Sequence, residues 1–272
     1  MKLLYRLFQA GISHRECQNF PPSGDCPENR FFKILKNRPA KRILEIGSRR
    51  IVGQVDKNRF GPGLVYVGFD IMEGPNVDVV GDTHRLSEIF QPNSFDGIVS
   101  YAVWEHIAMP WKVALEINRV LKPGGIAYIA THHTFPVHEL PWDFWRFGHD
   151  ALATTFGPTQ GFRVLDRTLR WSAQLFHLYR FKRFKPEARH FLFTDLLVEK
   201  VSDYDPKKIY WNLDYRDTLP KQHAYPVGTY QLPDEKKEYG ATQQITRLQV
   251  VDENKFLRKL AHYECDDRQP VA

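Results

Sequence analysis

Two kinds of residue in this chain are spaced for chemistry: acids that close apolar runs, and histidines that follow them. Leu44-Glu45-Ile46-Gly47-Ser48 places an acid and a glycine where a strand gives way to a loop. Glycine there lets a ligand come close to the backbone. Asp70 closes the next apolar run, 23 residues after Gly47, about where an acid holds the hydroxyl pair of a ribose. Gly81-Asp82-Thr83 follows a third run. Taken singly, Asp70 and Asp82 equally suit helix caps or turns, and Met72 suits a core.

The histidines call for a different chemistry. His106 follows a fourth apolar run, and His132, His133 and His138 follow a fifth. Imidazole titrates near neutral pH, so it is the natural base for taking the proton of a hydroxyl. Alternation along a strand would send one of His132 and His133 into the cleft and the other into packing, with His133 the preferred base. At least two of the four histidines are expected only to close loops by hydrogen bonds. The runner-up is a metal set of His133, His138, Glu139 and Asp143. Its spacing matches no compact metal motif, so no metal is expected. Trp142-Asp143-Phe144-Trp145-Arg146-Phe147 offers rings with one acid and one base. With His138 it suits an acceptor pocket. It equally suits a hydrophobic lid in which Asp143 and Arg146 pair, and the two readings are compatible.

These groups need a frame that carries them to one edge. Short apolar strands are expected in RILEIG, LVYVGFD, VDVVGD, FDGIVSYAV, GIAYIATHH, GFRVLDRTLRW and HFLFTDLLVEKV. Helices are expected over about Glu28 to Lys36, Pro110 to Val120 and in HDALATTF. Strands alternating with helices imply a doubly wound, mostly parallel α/β sheet, with ligands at the carboxyl ends of its strands. The expected organisation is an N-terminal helical lead-in over 1–40, the sheet domain over 41–202 and a C-terminal extension over 203–272. The extension is polar and carries several prolines, yet it keeps Tyr210, Trp211, Tyr215, Tyr225 and Tyr230. It reads as an arm packed on the body or on a second copy.

In order and spacing, LEIGS, YVGFDI, DVVGDTHRL, FDGIVSYAVWEHI and LKPGG resemble the S-adenosylmethionine-dependent methyltransferases of the class I, Rossmann-like kind, and in particular the type 11 group. The resemblance covers roughly residues 31–200 and implies a seven-stranded sheet with S-adenosylmethionine as cofactor. It implies that Glu45, Gly47 and Ser48 line the methionine part of the cofactor. It further implies that Asp70 holds the ribose, Ile71 and Met72 flank the adenine, Asp82 with Thr83 meets the exocyclic amine, and Tyr101 approaches the amino acid end. The family's first loop usually reads acid-x-Gly-x-Gly-x-Gly. Here the second and third glycines are Arg49 and Ile51, with a glycine only at Gly53. That removes the cradle a dinucleotide pyrophosphate needs, while a cofactor without phosphates tolerates the change.

Composition narrows the classes further. The chain has 272 residues, 42% of them hydrophobic and 26% charged, enough for a packed domain. No apolar run approaches the length of a membrane helix, and the first residues lack a secretory pattern, so a cytoplasmic protein is expected. Cys17, Cys26 and Cys265 form no disulfide framework. The net charge of +6 is modest. The basic and aromatic stretch at 179–185 could grip RNA, but a solvated loop is the preferred reading, so nucleic acid is not an expected partner. The leading expectation is methylation of a hydroxyl on a small molecule or glycan. The alternatives are an RNA methyltransferase and a non-catalytic binding module that keeps the fold.

Overall fold

The computed structural model describes residues 25–50, 55–173 and 190–209. Seven strands form one sheet: β1 (Lys41–Ile46), β2 (Leu64–Asp70), β3 (Val79–Val80), β4 (Phe95–Tyr101), β5 (Leu121–His132), β6 (Phe162–Ala173) and β7 (His190–Lys200). Their spatial order is β3-β2-β1-β4-β5-β7-β6. β7 runs antiparallel to both β5 and β6, and the other pairings are parallel. The sheet is the mostly parallel, Rossmann-like one that the sequence implies. Its winding direction reverses between β1 and β4, so the cleft for a ligand opens above the carboxyl ends of those two strands.

The central strands are buried on both faces, as expected of parallel strands covered on two sides. In β1, Ile43 faces one layer and Leu44 and Ile46 face the other. The second layer is closed by α3 (Pro110–Val120) and α4 (His149–Thr154), with the short α2 (Leu86–Ile89) beside them. α3 starts with proline at its first turn and packs Val113, Ala114, Ile117 and Val120 into this core, while Leu115, Glu116 and Asn118 are buried as well.

The first layer is closed by α1 (Pro27–Lys36), which precedes the sheet. Cys26 caps α1, Pro27 opens it, and Phe31, Phe32 and Leu35 are buried. They pack on Ile43, Val99 and Tyr128 together with Phe60. Among the described residues the β1–β2 connection holds only a 3-10 turn, Lys57–Phe60. The helix that strict strand–helix alternation puts there is thus replaced on this face by α1. Gly61 and Gly63, both at positive φ, end the connection abruptly at the start of β2.

The residues outside the described set include most of the expected N-terminal cap, the basic stretch at 179–185 and all of the C-terminal extension beyond Ile209. Among the described residues no helix is long and apolar enough to cross a membrane.

Candidate active site

The loop after β1 turns at Gly47, which has φ of +80°. A Cβ there would stand 2.0 Å from Cγ2 of Val103, so both the dihedral and the neighbour demand glycine. The Gly47 and Ser48 amides donate to the Phe69 carbonyl at 2.8 and 3.1 Å. Asp70, at the tip of β2, accepts from the amides of Arg49 at 3.1 Å and Met72 at 3.0 Å. The Arg49 guanidinium lies 3.7 Å from it. Burial raises the Asp70 carboxyl despite these donors. Among the described residues, the buried Ser48 Oγ and Arg49 Nε have no hydrogen-bond partner. Polar atoms left unpaired at a strand edge are where a polar ligand is expected to bind, so this loop fits the methionine and ribose ends of the expected cofactor.

Glu45 lies beneath the loop. Its carboxylate accepts from the Tyr66 hydroxyl. Burial is the largest influence on it and raises its carboxyl to about 7 against the pull of Tyr66 and Lys57. Asp82 caps the 3-10 turn over Thr83–Arg85 and accepts from the His84 amide at 2.9 Å. His84 Nδ1 sits 2.7 Å from the same oxygen. The capping reading of Asp82 is therefore realised, and Met72 is buried.

The second group gathers at the ends of β4 and β5. β4 and β5 pair Tyr101 with Ala130, which carries Glu105 over the end of β5. Glu105 is fully buried. Its Oε2 accepts from Thr131 Oγ1 at 2.5 Å. Its Oε1 lies 2.6 Å from His132 Nδ1, 3.8 Å from His138 Nε2 and 3.9 Å from His106 Nε2. Burial alone would raise this carboxyl, but His132, His106 and Thr131 hold it at about 2. Burial and the two neighbouring imidazoles push His138 down. The His132 ring stacks on Phe135 at 4.0 Å and meets Phe193 edge-on. His106 Nδ1 is 2.9 Å from the Trp142 carbonyl.

His132 and His133 part as strand alternation requires. His132 faces Glu105, while His133 Nδ1 lies 2.8 Å from the Phe147 carbonyl. His138 and His106 join the Glu105 cluster, Asp143 reaches it through His138, whose amide donates to Asp143 Oδ2 at 2.9 Å, and His133 turns away. Asp143 also pairs with Arg146 at 2.5 and 2.8 Å, the pairing that a lid requires. Trp145 anchors the Trp142–Phe147 segment by donating to the Ile107 carbonyl at 2.8 Å, and Val137 and Leu140, just before it, are exposed.

Tyr101 turns toward α1, where its hydroxyl donates to Glu28 Oε1 at 2.9 Å. Glu28 also accepts from Arg59 at 2.7 Å and Arg170 at 2.8 Å. Arg170 in turn lies 2.7 Å from the buried Asp195. This paired network fixes α1 on the sheet. Sequence reasoning missed Glu105 itself. The available signal was an acid enclosed by Trp104 and Ile107, an apolar setting where a carboxylate needs a partner.

The sheet order β3-β2-β1-β4-β5-β7-β6 is that of a Rossmann-like α/β domain. Residues 59–129, about a quarter of the chain, match the family model described as a methyltransferase domain. No curated protein matches it by sequence. Among solved structures it is similar to the YcgJ protein from Bacillus subtilis at 14% identity and TM-score 0.46, over 66% of this chain and 99% of that one. A SAM-dependent methyltransferase from Archaeoglobus fulgidus is similar at 15% identity and TM-score 0.45, over 63% and 90%. One from Methanosarcina mazei aligns at 16% identity and TM-score 0.41, over 60% and 94%.

Proposed function

We propose that this chain is an S-adenosylmethionine-dependent methyltransferase that acts on a hydroxyl of a small molecule or sugar. The observation that carries the reading is the cluster of His106, His132 and His138 around the buried Glu105, one strand away from the Gly47 loop. The cofactor supplies an electrophilic methyl group on sulfur. Gly47, Ser48 and Asp70 would hold it, with Ile71, Met72, Asp82 and Thr83 toward the adenine.

An alcohol oxygen is a poor nucleophile while it keeps its proton. As its electron pair forms the new carbon–oxygen bond, the methyl's bond to sulfur breaks and the hydroxyl proton must leave. An imidazole at this edge is the acceptor for that proton, with His132, His133 and His106 the candidates. Holding the oxygen in line with the methyl supplies the larger share of the acceleration. The Trp142–Arg146 segment, with His138, borders the cluster and supplies rings on which a sugar or flat acceptor can pack.

The test is a mass-spectrometric assay of purified protein with S-adenosylmethionine and a panel of phenols, catechols and sugars. A product one methyl heavier at oxygen supports the reading. Transfer only to nitrogen, carbon or RNA, or cofactor binding without any transfer, overturns it.

A further inference from the structure

We propose that Glu105, His132 and His138 form a binding site for a first-row divalent cation such as zinc, placed to hold the acceptor's hydroxyl. The purpose of the site rests on the hydroxyl reading above, whereas its existence rests on geometry alone. One donor atom from each of the three side chains lies within 4.8 Å of the others. Neighbouring donors on one ion, bonded at about 2.0–2.2 Å, stand roughly 3–3.5 Å apart. The separations from Glu105 Oε1, 2.6 Å to His132 and 3.8 Å to His138, bracket that range, so small side-chain shifts bring all three onto a common centre.

A second observation is independent of proximity. Glu105 Oε1 and His132 Nδ1 are both buried, and among the described residues neither has a well-directed hydrogen bond. Their approach meets ion-pair distance and misses hydrogen-bond geometry. A buried carboxylate oxygen and ring nitrogen this close compensate each other only while a positive charge lies between them. A divalent cation can take the place of the imidazole proton there.

The surroundings are built for ligation. Thr131 occupies Oε2 of Glu105, which leaves Oε1 toward the imidazoles. His138 Nδ1 lies 3.1 Å from the Pro136 carbonyl. A ring nitrogen beside a carbonyl oxygen carries the proton, so Nε2 keeps its lone pair on the Glu105 side. Outer hydrogen bonds of this kind orient imidazoles that bind metals. Two imidazoles and one carboxylate favour zinc, cobalt, iron or manganese over calcium or magnesium, which take oxygen donors. Three protein donors leave positions for a substrate oxygen. With His132 and His138 as ligands, receiving the hydroxyl proton would fall to His106 or His133. The three ligands come from the turn after β4, the end of β5 and the loop beyond it, so no compact sequence motif marks the site.

The test uses untagged full-length protein, stripped with a chelator and titrated with cobalt(II). Visible absorption bands saturating at one ion per chain, displaced by zinc, are the expected result. His138→Ala should weaken cobalt binding at least tenfold, Glu105→Gln should do the same, and His149→Ala should not. His138 is the most accessible of the three, so its variant keeps the test decisive if Glu105→Gln fails to fold. Absence of bands at millimolar cobalt, or wild-type affinity in His138→Ala, overturns the site. Cobalt binding without hydroxyl methylation would leave the metal site standing and refute the proposed function. Chelator-resistant hydroxyl methylation with no cobalt bands would do the reverse.

Discussion

Glu105 Oε1 and His132 Nδ1 stand 2.6 Å apart, with 0% and 4% of their side chains exposed. They come from different strand ends and meet because the β4–β5 register sets Tyr101 beside Ala130. Removing one member of such a pair leaves the other buried and uncompensated, which typically costs about 3–5 kcal/mol. Their contact couples the integrity of the β4 and β5 ends to the histidine cluster around Glu105.

Glu105→Gln keeps the shape and removes the charge. Turnover on a hydroxyl acceptor should fall by roughly a hundredfold or more, the scale of losing a positioned acid–base group. Affinity for S-adenosylmethionine, measured by calorimetry, should stay within about twofold, because the Gly47 loop and Asp70 are untouched. A parallel loss of cofactor affinity would show that Glu105 supports the cofactor loop and not the acceptor side.

Asp70→Ala should give the opposite pattern. Asp70 already accepts from the Arg49 and Met72 amides, so the carboxylate is held still at the tip of β2. Loss of a charged hydrogen-bonding partner costs on the order of 1.5–3 kcal/mol, or roughly ten- to a hundredfold in cofactor Kd. Turnover at saturating cofactor should change far less. An unchanged Kd by calorimetry would remove Asp70 from the cofactor site.

Much of this frame is legible in the sequence because the inner strands are buried on both faces and so read as continuous apolar runs. RILEIG and FDGIVSYAV announce β1 and β4 in that way. The site is less legible. Alternation separates His132 from His133 but does not say which one faces the cluster, since that depends on where Glu105 arrives. The role of Glu105 depends in turn on strand register. α1 is recognisable as a helix from its cap and stripe, yet its docking follows from the pairing of Glu28 with Arg59 and Arg170, residues 31 and 142 positions away. Asp96 shows the limit of a motif. It sits at the opposite edge of the sheet and accepts from the Arg42 amide and Lys122 Nζ, both at 2.8 Å, so its work is to join strands.

Gly47→Ala should destabilise the domain for two separable reasons. The positive φ costs alanine about 1–2 kcal/mol, and the new methyl meets Val103 Cγ2 at 2.0 Å, an overpacking worth about 1–3 kcal/mol. Adding Val103→Ala should recover the second part and leave the first. A double-mutant cycle on denaturant midpoints should therefore show a favourable coupling of about 1 kcal/mol or more. Strict additivity would mean that the Gly47 turn and Val103 are not packed against each other.

Glu45 predicts a pH dependence of stability. Its carboxyl is raised from 4.5 to about 7, first by burial and further by Asp70, while Tyr66 and Lys57 pull the other way. The native state therefore holds a proton that the unfolded chain has lost between those two values. Stability contributed by this group is present in full below about pH 4.5 and is lost as pH rises through about 7. A shift of that size corresponds to about 3 kcal/mol, at about 1.4 kcal/mol per pH unit. Glu45→Gln keeps an acceptor for the Tyr66 hydroxyl and cannot ionise. Between about pH 5 and 8 the variant should lose less stability than wild type, and it should be the more stable of the two at the alkaline end. The difference between the two denaturation curves at each pH isolates Glu45 from Asp195, whose carboxyl burial raises to about 6. Parallel curves for the two proteins across that range would show that Glu45 is already ionised in the native state, held by Lys57 and Tyr66 against its burial.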